Sequence, residues 1–399
     1  MNLAESVNAV FQKKYKEQPL LIRSPGRVNL IGEHTDYNSG FVLPVAIEKR
    51  IVVAAGKRND GKLFLHTADF QKSVEITLSD IRFREKEFWS NYPAGVAAIL
   101  QSTGYTIGGA NFCIRGDVPI GAGLSASAAM EVASALALSQ LYNLSLSPLD
   151  VARLACTAEG NFVGVQCGIM DQFISVFGKK GFALFLDCKS LEHSYVVYPD
   201  GVTLVIFDTG LRRELALSSY NRREAECEDA VHLIAKHIAG LSSLREVTPD
   251  KFRSVEGMLP LVSRKRARHV ITENERVLQA VEALKQQDVD KFGKLMFESH
   301  KSLKEDYEVS CRELDAFVDI ARESKGVFGA RMTGAGFGGS AIALVKEKSV
   351  DAFVERVRTE YPKRGGPNLT IYLPKIGGGA TIATAETGWK PKPFISKNS

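Results

Sequence analysis

Two α+β lobes, divided near residues 190–200, are what this sequence predicts. Three observations carry that expectation. The chain has 399 residues, and at roughly 150 residues per domain that length favours two or three domains. Its first half alternates short apolar runs with segments of helical period. From Leu217 to Tyr307 the pattern is mostly helical, and strand-like runs return only late.

The elements follow in order. Residues 2–17 read as an amphipathic helix of mixed charge, without the apolar core of a signal peptide. Strand-like runs come next at Leu20–Arg23, Phe41–Ile47 and Ile51–Lys57. Phe88–Thr103 has helical periodicity, and Ala110–Arg115 reads as a strand. Ser125–Tyr142, rich in Ala, Met, Glu and Leu, reads as a buried helix. Pro148–Val163 is a further helix, then Ala183–Asp187 and Val202–Asp208 are short strands. Leu314–Ser324 is a late helix, and Ala341–Val345 and Thr370–Leu373 are late strands. The division is drawn at 196/197, giving lobes 1–196 and 197–399. The polar tail Lys390–Ser399 reads as frayed.

Composition excludes several classes. Hydrophobic residues make up 45% and charged residues 24%, as in ordinary globular proteins. No window approaches 18 apolar residues, so no membrane span is expected. The net charge of +5 assists an anionic substrate without implying nucleic acid. The densest basic run, Arg264-Lys-Arg-Ala-Arg-His269, is followed at once by Glu273 and Glu275, with Glu273 four residues after His269, a helical pairing distance, so it reads as a solvated helix face. Six cysteines, at 113, 156, 167, 188, 227 and 311, form no C-x-x-C pair. A reducing cytoplasm with free thiols is the expected compartment. The sequons at Asn143 and Asn368 carry no meaning there.

Three segments are richer in glycine and polar residues than a core requires. Arg23-Ser-Pro-Gly-Arg-Val-Asn-Leu-Ile-Gly-Glu-His-Thr-Asp-Tyr37 gathers Arg27, Asn29, Glu33, His34 and Asp36. Carboxylates accept hydrogen bonds and imidazole both donates and accepts, so this density suits a polyhydroxyl ligand such as a sugar. A polar turn, or a metal site using His34 and Asp36, remains open. Asp117-Val-Pro-Ile-Gly-Ala-Gly-Leu-Ser-Ala-Ser-Ala-Ala-Met-Glu131 opens a glycine-rich turn into a helix. Free N–H groups at a helix start suit phosphate. Serine capping would explain one hydroxyl but not the whole run. No Walker A lysine is present. Arg331-Met-Thr-Gly-Ala-Gly-Phe-Gly-Gly-Ser340 holds a G-x-G-x-x-G match, but a strand-like run follows it where a dinucleotide fold needs a helix. It reads as a loop closing on a ligand, or as a glycine-rich hairpin. A fourth stretch, Glu159 to Gln172, sets Asp171 among apolar neighbours, where a carboxylate needs a partner or a task.

Together these segments resemble the GHMP kinase superfamily, and within it the galactokinase family. Gly26–Tyr37 is similar to the signature G-R-x-N-x-I-G-E-H-x-D-Y in full. The second segment resembles the phosphate motif P-x-G-x-G-L-S-S-S-A-A, the third the closing glycine-rich motif, and Cys167-Gly-Ile-Met-Asp-Gln172 a further family match. The matches run in order from about residue 22 to about 340. One position departs: Leu124-Ser-Ala-Ser-Ala-Ala129 has Ala126 for the middle serine. Two hydroxyls remain, so activity is expected to survive with weaker phosphate contact.

The resemblance implies a ribosomal-S5-like N-terminal lobe, a ferredoxin-like C-terminal lobe, and a site between them. It implies Mg²⁺- and ATP-dependent phosphorylation of the C1 hydroxyl of galactose, by a monomer needing neither nucleic acid nor membrane. Arg27 and Asp171 match the catalytic pair. Glu33, His34, Asp36, Gly168, Asp171 and Tyr220 match sugar contacts. Ser127 and Glu159 match the Mg²⁺ ligands. Gly121, Ala122, Gly123, Leu124, Ser125, Ala126 and Ser127 would wrap the ATP phosphates, and Trp89 and Tyr92 would flank adenine. An Asp beside Arg⁺ is a weakened base, so Asp171 is expected mainly to position the hydroxyl. The rivals are a kinase for N-acetylgalactosamine or arabinose, decided by room at C2, and a catalytically silent sugar sensor, disfavoured by the full-length phosphate loop. A dehydrogenase stands below both.

Overall fold

A computed structural model describes residues 2–211, 216–366, 369–383 and 392–394. Most of the tail expected to fray, and the sequon at Asn368, lie outside the described residues.

The chain begins with helix α1 (Leu3–Tyr15), opened by a capping box between Asn2 and Glu5. Strands β1 (Leu20–Asn29), β2 (Phe41–Val42), β3 (Pro44–Arg58), β4 (Lys62–Thr67) and β5 (Lys72–Thr77) follow. Then come α2 (Asn91–Ser102), β6 (Gly109–Gly116), α3 (Ala126–Tyr142), α4 (Pro148–Ala158) and α5 (Met170–Phe177). Strands β7 (Phe182–Asp187), β8 (His193–Val197) and β9 (Val202–Asp208) lead into helices α6 (Ala216–Ala235), α7 (Pro249–Val255), α8 (Leu261–Lys285), α9 (Val289–Glu305) and α10 (Arg312–Arg322). The remainder is β10 (Val327–Thr333), β11 (Ser340–Lys346), α11 (Val350–Glu360), β12 (Thr370–Tyr372), β13 (Thr381–Ala383) and β14 (Lys392–Pro393).

Seven strands form the first sheet, in the order β14-β13-β1-β3-β6-β4-β5. Alternation along β3 serves its two faces: Val52 and Ala54 pack under α1 beside Phe11, while Ile51, Val53 and Ala55 face the main core. The second sheet is β10-β11-β9-β12. Phe207, stacked 4.4 Å from Phe317, and Ala341, Ala343 and Val345 face one cluster. Leu204, Ile206, Ile342 and Leu344 face the main core, which therefore runs across the junction of the lobes.

Several expectations need amendment. Phe41–Ile47 and Ile51–Lys57 are largely one strand, β3, with only Phe41 and Val42 in β2. The helix expected to reach Val163 ends at Ala158 and gives way to a π turn over Glu159–Val163. The glycine-rich Arg331–Ser340 segment is a hairpin, with Thr333 of β10 opposite Ser340 of β11. Strand β13 pairs with β1, so the chain crosses back over the division drawn at 196/197. The basic run of α8 is not simply solvated. Arg266 is buried between Glu226 and Glu308, Arg268 pairs with Glu256 and Asp306, and Glu273 is fully buried. Those carboxylates neutralise Arg266 and Arg268, Lys265 pairs with Glu308, and Arg264 bonds backbone carbonyls.

Phe11 is fully buried where α1 seals the first sheet. Phe11→Ala should lower stability by about 3–5 kcal/mol, read as an earlier urea midpoint by circular dichroism. An unchanged midpoint would show that α1 contributes little to closing that face.

Candidate active site

The first sheet and the hairpin of the second sheet meet at a cleft of about 240 Å³. A larger open groove, lined by Asp200, Gln287, Asp290 and Lys348, shares no residue with it and gathers none of the motifs.

Arg27 comes from β1, whose register with β3 breaks between Pro25 and Arg27. A side chain at Gly26 would put its Cβ 2.7 Å from the carbonyl oxygen of Leu124, so glycine lets β1 approach the phosphate loop. Arg27 is buried and grips Asp171 with two donors, Nε at 2.6 Å and an Nη at 2.5 Å. Its remaining Nη donates to the Gly123 carbonyl at 2.7 Å. Burial opposes the Arg27 charge, but Asp171 more than offsets it and holds the guanidinium above its ordinary value. Asp171 lies in the first turn of α5 and also accepts from Ser125 Oγ.

The phosphate loop is fastened by its carbonyls. Leu124 accepts from the Arg27 amide at 3.1 Å and Ala122 from Ser340 Oγ at 2.7 Å. Ser125, with φ of 59°, then turns the chain into α3. The first-turn amides of a helix have no intrahelical partner, so this loop presents donors to an anion. Gly123, Ser125 and Ser127 line the cleft. Ala122 and Leu124 are buried, and Gly121, Ala122, Leu124 and Ala126 do not line it. Trp89 and Tyr92 lie outside it too: Trp89 packs against the main core, and Tyr92 meets Phe88 edge-on at 5.9 Å.

Glu159 sits in the π turn, a geometry that often marks functional sites. Its carboxylate accepts from Ser127, from Gln172 Nε2 at 2.5 Å and from Cys167 Sγ at 3.6 Å. Burial first, and then the charge of Asp171, raise its pKa. Behind it stands fully buried Glu131, which shares the Gln172 amide at 3.0 Å and is pushed well above its ordinary value by burial. Glu131 Oε1 has no hydrogen-bond partner among the described residues. Carboxylates held this close in a buried pocket fit a divalent cation. Among the described residues no three protein ligands gather into a metal cluster. Ser127 and Glu159 offer a hydroxyl and a carboxylate side by side, and an ion such as Mg²⁺ takes one or two protein oxygens beside phosphate and water.

Glu33, His34, Asp36, Gly168 and Tyr220 line the other side. A Cβ at Gly168 would fall 2.3 Å from Asp36 Oδ2, so only glycine allows that approach. Burial first, and then the charge of Asp171, push the Asp36 carboxyl up to about 7. His34 has φ of 61°, and burial holds its imidazole neutral, well below its ordinary pKa.

Glu33 differs from a simple sugar contact. Its Oε2 accepts from Asn29 Nδ2 at 2.5 Å and Arg331 at 2.9 Å, and its Oε1 from Thr333 at 3.0 Å and the Gly334 amide at 2.5 Å. Four donors occupy its acceptor sites, so it anchors the hairpin as well as walling the cleft. Sequence reasoning singled out neither Arg331 as its partner nor Glu131 and Gln172 behind Glu159. A carboxylate in the otherwise small, apolar run of α3 was the signal for Glu131. Nothing in the alternation of β10 marks Arg331 as buried.

The family model described as the galactokinase galactose-binding signature matches residues 9–57. Those for the N-terminal and C-terminal domains of GHMP kinases match 91–179 and 280–363. The chain is 44% identical over 370 residues to the galactokinase of Roseiflexus sp. (strain RS-1), covering 92% of this chain and 94% of that one. It is 39% identical over 385 residues to the galactokinase of Bacillus subtilis (strain 168), covering 95% and 98%. The crystal structure of Lactococcus lactis galactokinase complexed with galactose superimposes with a TM-score of 0.92 at 37% identity, covering 95% of this chain and all of the other. The mevalonate kinase of Methanococcus jannaschii shares the fold, with a TM-score of 0.63 at 19% identity. With a galactokinase-specific signature across the sugar wall and full-length relatives at this identity, the chain belongs to the galactokinase family.

Proposed function

We propose that this cleft transfers the γ-phosphoryl group of ATP to the C1 hydroxyl of galactose, releasing galactose 1-phosphate and ADP. The observation that carries the reading is the two-donor Arg27–Asp171 pair, set where the phosphate loop meets the sugar wall. Phosphoryl transfer asks for alignment and neutralised charge more than for covalent chemistry. The loop amides and Arg27 supply positive potential to the transferring group. Ser127 and Glu159 would hold Mg²⁺, which supplies charge neutralisation between the phosphates. His34, Asp36, Gly168 and Tyr220 surround the hexose, with Glu33 in the wall behind.

Asp171 accepts three hydrogen bonds from Arg27 and Ser125, which fix the orientation of its carboxylate. It orients the C1 hydroxyl. The C1 oxygen bonds to the γ-phosphorus as the bond to the ADP oxygen breaks, and the hydroxyl proton leaves late, through Asp171. Both walls of the cleft come from this chain, so the reaction as written calls on no residue of a second copy. Six free cysteines suit a reducing cytoplasm.

In a coupled ADP-release assay with galactose and Mg-ATP, Asp171→Asn should lower kcat by about 10²–10⁴-fold. Arg27→Ala should lower kcat by roughly 10²–10³-fold, with a smaller rise in galactose KM. Near-wild-type turnover in the first, or a KM-dominated loss in the second, would remove those roles. Glu159→Gln should raise the Mg²⁺ concentration for half-maximal activity by about tenfold or more, and an unchanged requirement would place the metal elsewhere.

Asp36 sets a pH limit. Its raised pKa of about 7 means that the charged form, the better acceptor for sugar hydroxyls, is lost as pH falls through that value. Galactose kcat/KM should fall roughly tenfold per pH unit below about 7. Asp36→Asn should be weaker throughout and lack that limb. A persisting limb would belong to another group.

A further inference from the structure

His34 has no free ring nitrogen. Its Nε2 lies 3.2 Å from the Ala335 carbonyl oxygen and its Nδ1 lies 2.8 Å from the Tyr37 hydroxyl. The Tyr37 hydroxyl is 2.7 Å from that of Tyr307, which is 3.1 Å from Cys227 Sγ. Tyr307 is fully buried and Cys227 almost so, and neither lines the cleft; nor does Tyr37.

A carbonyl oxygen only accepts, so Nε2 carries the proton in this contact. In a neutral imidazole Nδ1 is then an acceptor. The Tyr37 hydroxyl must donate to it and can accept from Tyr307, which in turn accepts from the Cys227 thiol. One backbone carbonyl thus orders every proton along the row. Burial supports this order: it holds His34 neutral and raises the Cys227 thiol to about 11, leaving the S–H in place. The rings fix the row laterally. His34 lies 4.7 Å from Tyr307 and 5.5 Å from Tyr220, and Tyr37 lies 5.4 Å from Tyr220.

We propose that Tyr37 and Tyr307, backed by Cys227, are positioning residues that hold His34 in its Nε2–H tautomer, with that N–H aimed at the place a sugar oxygen takes from the Ala335 carbonyl. This deepens the galactose reading and rests on it. The Ala335 carbonyl occupies the site of the incoming oxygen, and its contact with Nε2 is the longest of the row. Exchange of that bond for one to the sugar frees the carbonyl of the hairpin while the Tyr37 bond keeps the ring still.

Nitrogen-15 NMR of the full chain labelled at histidine tests the assignment directly, without substrate. In the unaltered protein, His34 should show a protonated Nε2 and a pyridine-type, hydrogen-bonded Nδ1. In Tyr37→Phe the Nδ1 resonance should move toward that of a free pyridine-type nitrogen, and in Tyr307→Phe it should move the same way by less. Galactose KM should rise about tenfold in Tyr37→Phe, the worth of one hydrogen bond, with ATP KM unchanged and kcat within about threefold. A protonated Nδ1 in the unaltered protein overturns the proposal, whether or not either variant folds. So does an unmoved Nδ1 resonance or an unmoved galactose KM in folded Tyr37→Phe. Absence of galactose turnover in the unaltered protein, with the resonances as expected, would sink the substrate reading and leave the tautomer assignment standing.

Discussion

The cleft depends on one buried ion pair, Glu33 with Arg331. Both are almost without solvent, and the pair joins the turn after β1 to β10. Taking two charges out of water costs several kcal/mol each, so such a pair adds little net stability. Its value is geometric. Every acceptor site of Glu33 is filled, and Arg331 reaches on to the Asn29 carbonyl and Ser299. Loss of either partner would strand a charge in the core, at roughly 3–5 kcal/mol. The glycine-rich hairpin is thereby held against the sugar wall, and the strain of His34 at positive φ is carried by a surrounding that allows no other path.

Around that weld the charges are unbalanced on purpose. Asp36, Asp171, Glu159 and Glu131 converge within or behind the cleft, and among the described residues Arg27 is the only one of its lining residues with a permanent positive charge. Burial raises the pKa of Asp36, Glu159 and Glu131, because each carboxylate loses water's stabilisation of its charge. Gln172, donating to both buried glutamates, keeps them apart and oriented. Ser125 and Ser127 split their work between the two ends: one hydroxyl on Asp171, the other on Glu159.

Local chemistry made much of this legible in sequence. The helix beginning after Ser125, the strand at Val202–Asp208 and the dense polar run from Arg27 to Asp36 all announce themselves within a few residues. Long-range partners do not. Arg331 meets Glu33 across 298 positions, and Tyr307 meets Tyr37 across 270. Neither pairing leaves a periodic trace. The strands β4, β5 and β8 were missed because charged and polar residues interrupt their apolar faces. Trp89 and Tyr92, expected to flank adenine, lie outside the cleft, and Trp89 packs against the core. The glycine run of the hairpin was ambiguous because hairpins and ligand loops need the same backbone freedom, and here the hairpin sets Gly334 and Ala335 in the cleft lining.

The return of β13 to pair with β1 ties the order of synthesis to the order of assembly. Strand β1 carries Arg27, and β3 covers only one of its edges. At 5–20 residues per second, the interval from Asn29 to Thr381 lasts roughly 20–70 s on the ribosome. Through that time the Leu21–Arg23 edge of the strand that bears Arg27 presents open backbone donors and acceptors. The newborn chain is therefore open to mispairing beside the strand that sets Arg27 in the cleft.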